Sequence, residues 1–473
     1  MAPARPNLLV LFSDTHTATA SGCYGSSEVR TPHLDRLASE GVLFERAYSQ
    51  NPLCVPSRQS LLTGLRSFET GVLHNDQPMP PLYTLAHHLS AVGYETAALG
   101  KMHFVPDTTA SGGQERHFGF SQRLDYEEFW RYLRDERRYP AVPDVSDDPW
   151  QIVHLERWQH VLQAYGVTLP GEGAPSHRHI LPAGAMGTLP HEDHQEALVL
   201  RTWSQFLARE HANPFLAFVS FQSPHPPFVP PAEFVAQYAG PITLPPAPTS
   251  EDLAHPVWSR AIRLADDDAR EAYLRHYYAF VSYTDWCVGE ALRLLEQAGH
   301  AEDTVVVYVS DHGDMGYEHG LTGKCVFYEP SVRVPLLMRC PGQIAPGWRH
   351  DGLVELVDLF PTLCEAACVD TPAGLAGRSL WPEVRAKQSI GKDAVFSESY
   401  PMERNRALFG PRPHRMVLTD RWKLVEYGDI AVDLFDVVHD RENTANLAGD
   451  PRFASVKAEL LAELHRVLGA MPR

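Results

Sequence analysis

A chain of 473 residues is long enough for two or three domains of about 100–200 residues each, or for one large α/β domain with an appendage. With 44% hydrophobic and 21% charged residues, its composition is that of a folded globular protein and argues against extensive disorder. A formal charge of −18 without any basic run argues against a nucleic-acid or anionic-membrane partner, but still allows a local cationic pocket for an anionic small molecule.

The apolar run "LLVLF" (8–12) reads as a buried strand, and its five residues are too few for a secretory or membrane-spanning segment, so a cytoplasmic protein is expected. "TPHLDRLASEG" predicts a helix with Thr31 as N-cap, Pro32 in the first turn, an apolar Leu34/Leu37/Ala38 stripe and Gly41 as terminator. A strand-like "VLFERAY" (42–48) follows. "SRQSLLTG" then predicts a helix from Ser57 closed by Gly64, with Cys54 just before its N-terminus. "ETAAL" (95–99) is a second buried-strand pattern. Residues 105–200, rich in Trp, Tyr, Arg, His and Pro, read as an insertion of short helices and loops that walls or lids a site. "FLAFVSF" (215–221), the amphipathic "YYAFVSYTDWCVGEALRLLEQAG" (277–299), "TVVVYV" (304–309) and "VPLLM" (334–338) continue the alternation of strand and helix. Such alternation predicts an α/β catalytic domain over 1–385, a large, mainly parallel sheet with helices on both faces. From 386 to 473, "DAVFSESY", "HRMVLTDRWKLVEYG" and "AVDLFDVV" predict short antiparallel strands. With the closing helix in "PRFASVKAELLAELHRVLGAM" they make a smaller C-terminal α+β subdomain. The seven cysteines are odd in number and scattered, unlike a disulfide framework.

Ligands of open α/β sheets bind beyond the carboxyl ends of the strands. Four of the apolar runs deliver chemistry there: Ser13-Asp14-Thr15-His16, Gly100-Lys101-Met102-His103, Gln222-Ser223-Pro224-His225 and Ser310-Asp311-His312-Gly313. Asp14, Asp311 and His312 form a mixed oxygen and nitrogen set suited to a divalent cation, with Ca²⁺, Mg²⁺, Mn²⁺ and Zn²⁺ all open on residue types alone. Arg58, Lys101 and Lys324 have no acidic neighbour in sequence and are candidates to hold a tetrahedral oxyanion. His103 and His225 can move protons near neutral pH. Cys54 precedes a helix N-terminus, where free N–H groups favour an anion, and Arg58 lies in a first turn that disfavours a cation unless an anion is bound. His74 and Asn75 fit a pocket wall or a turn equally well. "HEDH" (191–194) is one residue short of a zinc-protease pattern and reads as a solvated face; loop polarity accounts for Glu318 and His319.

"CVPSRQSLLTG" (54–64) resembles the signature of the sulfatase family in the alkaline phosphatase superfamily. The resemblance extends to "LFSDTH", "GCYG", "LGKMH", "SPHPPF", "SDHGDMGYEHGLTGK", "VELVDLFPTL" and "LFDVVHDRENTANLAGDP", nearly end to end. It implies an alkaline-phosphatase-like fold and a formylglycine-generating enzyme that oxidises Cys54 to an aldehyde, whose hydrate attacks a small-molecule sulfate ester. It further implies that Asp14, Asp311 and His312, with the modified Cys54, hold one divalent metal, Mn²⁺ or Ca²⁺. Lys101, Lys324 and Arg58 would stabilise charge, His225 or Lys324 would protonate the leaving alcohol, and His103 would take the proton that releases sulfate. Two positions depart from many relatives: Thr15 replaces a second carboxylate and His312 replaces an Asn. This departure resembles the branch of phosphonate monoester hydrolases, phosphodiesterases and choline sulfatases, favours Mn²⁺, and makes phosphonate monoester or phosphodiester hydrolysis the alternative reaction. The composition is compatible with a homo-oligomer.

Overall fold

The structure is a computed structural model and describes residues 5–75, 77, 80–103, 118–124, 132, 188–262, 265–401 and 406–469. Its main body is an eight-stranded sheet in the order β4-β3-β5-β1-β6-β7-β2-β8. The strands are β1 (Asn7–Ser13), β2 (Val42–Tyr48), β3 (Glu95–Gly100), β4 (Gln122–Leu124), β5 (Phe215–Ser220), β6 (Thr304–Ser310), β7 (Leu336–Arg339) and β8 (Trp348–Glu355). All pairs are parallel except those of β7, which runs antiparallel to both β6 and β2.

The central strands are apolar at consecutive positions because both faces are covered. Leu9 and Leu11 of β1 face one core with Leu34 and Leu37, Trp203, and Tyr277 and Phe280, from the helices Pro32–Glu40, Gln195–Leu207 and Asp267–Gln297. Leu8, Val10 and Phe12 face the other, with Leu61 and Leu62 of the helix Cys54–Thr63 and Phe360 and Leu363 of the helix Leu359–Ala366. A second sheet, order β12-β11-β10-β9, is wholly antiparallel and comprises β9 (Ala394–Ser399), β10 (His414–Thr419), β11 (Trp422–Tyr427) and β12 (Ala431–Asp436). The helix Ala454–Leu468 covers one face through Leu460, Leu464 and Leu468, and Met416, Leu418 and Val425 face Trp258, Phe327 and Tyr328 of the main body.

Two expectations change, and a third lies mostly outside the described residues. The long helix begins at Asp267, ten residues before its predicted start, because the Asp266 carboxylate caps the Ala269 N–H. Most of the 105–200 insertion lies outside the described residues; within the described part, β4 pairs with β3 and the helix Gln195–Leu207 packs under the sheet. "HEDH" is no solvated face: Asp193 and His194 are buried, His194 lies against Phe280 and Tyr283, and His191 Nδ1 is 2.6 Å from the Tyr283 hydroxyl. Among the described residues no helix is long and apolar enough to cross a membrane.

Candidate active site

The site follows from sheet register. Ser13 of β1 is level with Ser310 of β6, so the next residues, Asp14 and Asp311, emerge side by side. Phe12 pairs with Ser220, which pairs with Gly100, so Lys101 enters from the other flank. Gly100 has φ +99°, and a Cβ there would meet the Ser220 carbonyl oxygen at 2.0 Å; only glycine lets the chain turn in here.

The helix that carries Cys54 starts at Cys54 itself, three residues earlier than predicted, with Leu53 as N-cap and Pro56 tolerated in the first turn. All ten of its residues are buried. Cys54 Sγ, which stands in for the hydroxyl oxygen expected at this position after oxidation, lies 3.2 Å from His312 Nε2 and 3.8 Å from Asp14 Oδ1. Lys324 Nζ approaches it to 2.8 Å and His312 Nε2 to 3.0 Å. One ligand atom each from Asp14, Cys54, Asp311 and His312 falls within a 4.8 Å cluster, all four residues buried. His312 Nδ1 lies 3.0 Å from the Gly313 carbonyl, which fixes Nδ1 as the protonated nitrogen and leaves the Nε2 lone pair aimed at position 54. Two hard carboxylates and an oriented imidazole fit a divalent cation.

Arg58 departs most from expectation. Its guanidinium is fully buried and stays within the protein: Nε donates to Asp311 Oδ2 at 2.8 Å and Nη2 to Asp14 Oδ2 at 3.0 Å. Nη1 donates to the Ser220 hydroxyl at 3.1 Å and to the Lys101 carbonyl, and the group lies 4.4 Å over the Phe12 ring. With the helix starting at Cys54, Arg58 is its fifth residue, past the first turn, and the anion that it meets is the pair of carboxylates. Lys101 Nζ also reaches Asp14 Oδ2, at 2.7 Å, and Thr15 Oγ1 donates to Asp14 Oδ1 at 2.7 Å. Among the described residues, Lys324 is the lysine that touches position 54 directly.

Burial pushes the Asp14 carboxyl up, yet Lys101, His225, Arg58 and Lys324 together hold it well below the usual carboxylate range. Burial opposes charge on Lys324 as well, but the Cys54, Asp14 and Asp311 charges raise it above an ordinary lysine. Burial, with Lys101 and Lys324, drives His225 well below its ordinary value. Its Nδ1 is 2.6 Å from the Pro226 carbonyl. His103 follows two residues after Lys101, half-buried, with φ 59°. Asn75, which the sequence left between pocket wall and turn, accepts the Val55 N–H at 3.0 Å beside Cys54. Ser57 and Ser220, which bond the Asp311 carbonyl and Arg58, are not among the expected site residues; their one signal is a small polar residue inside the motif helix and at a strand end.

Comparison with known proteins identifies the family. The family model described as Sulfatase matches residues 6–369. The chain belongs to the sulfatase family. A model described as N-sulphoglucosamine sulphohydrolase, C-terminal, matches residues 317–469 of the same sulfatase chain. The choline-sulfatase of Rhizobium meliloti is 30% identical, over 98% of this chain and 86% of its own. The arylsulfatase of Clostridium perfringens is 26% identical, over 95% and 91%. The crystal structure of the phosphonate monoester hydrolase of Agrobacterium radiobacter matches with a TM-score of 0.79 at 24% identity, covering 99% of this chain and 96% of that one, and shows the shared fold. The sulfatase described here is thus a hydrolase of ester bonds, with an alkaline-phosphatase-like fold.

Proposed function

We propose that this sulfatase hydrolyses small-molecule sulfate esters with one divalent ion and with Cys54 oxidised to formylglycine. The observation that carries the reading is the buried side chain of residue 54, ringed by Asp14, Asp311 and His312 and touched by Lys324. Asp14, Asp311, His312 and residue 54 would hold the ion, and the imidazole favours Mn²⁺ over Ca²⁺. When bound, the ion supplies Lewis acidity toward the ester and lowers the pKa of the attacking hydroxyl. The aldehyde hydrate matters because a hemiacetal ester can expel its own sulfate, where a plain serine or cysteine ester would hydrolyse slowly.

The chain's own residues do the rest. Arg58 fixes both carboxylates. Lys101 and Lys324 face the charge that grows on the transferring group. Lys324, held protonated by the Asp14 and Asp311 charges, can donate a proton to the departing alcohol; an anion bound between Lys101 and Lys324 would raise His225 and let it do the same. His103 completes the cycle by accepting a proton from the second hydroxyl of the hydrate. The identity shared with a choline-sulfatase along the whole chain supports a sulfate ester. Thr15 and His312, where the sulfatase resemblance implies Asp and Asn, favour a second reading, hydrolysis of phosphonate monoesters or phosphodiesters at the same site.

Mass spectrometry of the peptide containing Cys54, after co-expression with a formylglycine-generating enzyme, tests the reading. The expected result is the mass loss that separates a CH₂SH from a CHO side chain. An unmodified thiol would sink it.

A further inference from the structure

Lys324 lies fourteen residues beyond the end of β6 at Ser310, at the far end of a loop with little regular structure. A long lysine on such a loop has no intrinsic reason to hold one position, and ordering its side chain costs conformational entropy. The loop is nevertheless closed on one buried carboxylate. Asp314 Oδ1 accepts the Gly316 N–H at 2.9 Å and the Gly323 N–H at 3.3 Å. The Met315 N–H donates to the Gly323 carbonyl at 2.8 Å, shutting the loop at its neck. Gly323, at φ 74°, immediately precedes Lys324. On the other side of Lys324, the Cys325 N–H donates to the carbonyl of Pro52, two residues before Cys54.

Asp314 is itself held from outside the loop. Tyr273, on the helix Asp267–Gln297, aims its hydroxyl at both carboxylate oxygens, at 2.9 and 3.0 Å. One turn on, Tyr277 is bonded to the loop after β1: its hydroxyl donates to the Thr15 carbonyl at 2.9 Å and accepts the Thr17 N–H at 3.1 Å. The spacing of four residues puts both tyrosines on one helix face, and both are buried. A single stiff helix thus grips the loop that leaves β1 with Asp14 and the loop that brings in Lys324.

We propose that Asp314 and Tyr273 are positioning residues for Lys324: the Tyr273–Asp314 link sets the loop neck at Gly323 and so the reach of the lysine to residue 54. The inference rests on the reading that Lys324 acts in ester hydrolysis. Displacement of a catalytic group by about 1 Å can cost about 100-fold in rate, and loss of an outer partner typically costs about 10–100-fold.

A double-mutant cycle on the mature enzyme tests this, with Tyr273→Phe, Asp314→Asn and Lys324→Ala alone and Lys324→Ala paired with each of the other two. The substrate is an aryl sulfate, and melting temperature and formylglycine content are measured on every variant. The expected result is a fall in kcat of about 10-fold or more for Tyr273→Phe, with KM nearly unchanged, and no further fall when the same change is made on Lys324→Ala. A kcat loss of the same size in the Lys324→Ala background would overturn the proposal, as would an unchanged kcat in Tyr273→Phe. Lys324→Ala alone reports on the underlying reading: full activity there defeats the role of the lysine itself, independently of how the other variants behave. Should Asp314→Asn fail to fold, Tyr273→Phe carries the test, because it removes one hydroxyl from a buried ring.

Discussion

At the scale of single residues, Arg58 organises the site. It spends every nitrogen on the two carboxylates, the Lys101 carbonyl, Ser13 and Ser220, so its planar fork, rather than its charge alone, is what the position requires. A lysine has a point charge and cannot satisfy Asp14 and Asp311 together with the same geometry. Arg58→Lys is therefore expected to weaken divalent-ion binding by about 10–100-fold, as loss of a partner behind a metal ligand generally does. Metal titration followed by calorimetry checks this on the cysteine form of both proteins, so that maturation does not enter. Equal affinities would show that the carboxylates hold their positions without the fork.

Between elements, a buried ionic cluster joins the exit of the Cys54 helix to the second sheet. Glu355, at the end of β8 and without solvent exposure, accepts from Arg66 at 2.8 and 3.0 Å, from Lys392 at 2.6 Å and from the Phe396 N–H of β9 at 2.9 Å. Burial pushes its carboxyl up, but Arg66 and Lys392 prevail and bring it down to about 2 from an ordinary 4.5. A depressed carboxyl stabilises the fold fully above its unfolded value and loses that contribution as pH falls through the folded one. Urea unfolding of the wild type should therefore weaken between about pH 4.5 and pH 2, where part of the slope comes from Glu355. Glu355→Gln should lose about 3 kcal/mol at neutral pH, because it leaves buried Arg66 without its bidentate carboxylate while Lys392 keeps Asp358 at 2.6 Å, and should show a flatter acid limb. An unchanged midpoint and acid slope would show that the cluster carries no net stability.

Elements whose pattern is local were legible in the sequence. β1, β3, β5 and β6 show as apolar runs because both their faces are buried, and each run stops where the chain turns polar over the site. That stop marked Asp14, Lys101, His225 and Asp311. Residues whose meaning lies in distant partners were not legible: Arg58 meets Asp311 across 253 positions, and Asp314 meets Tyr273 across 41. Likewise "HEDH" looked hydrophilic in isolation, and only the aromatic face of the long helix explains its burial.

Over the whole molecule, parallel register makes the candidate constellation nearly unavoidable. Once β1, β5, β6 and β3 pair as they do, Asp14, Asp311 and Lys101 converge beyond the carboxyl ends of these interior strands, and the Cys54 helix packs its N-terminus against them. Such a site holds two carboxylates, an oriented imidazole and three basic side chains. That inventory suits a divalent ion together with an anionic ester. Sulfate esters and phosphonate monoesters differ in charge and leaving-group demand, and the same groups serve both unequally. The decisive measurement is kcat/KM of the matured, metal-loaded enzyme on an aryl sulfate, a phenylphosphonate monoester and a phosphodiester with a common leaving group. The sulfate ester is expected to give the highest value, and it should fall to background in Cys54→Ala. A higher value for the phosphonate monoester or the phosphodiester, or sulfate turnover that survives Cys54→Ala, would contradict the account.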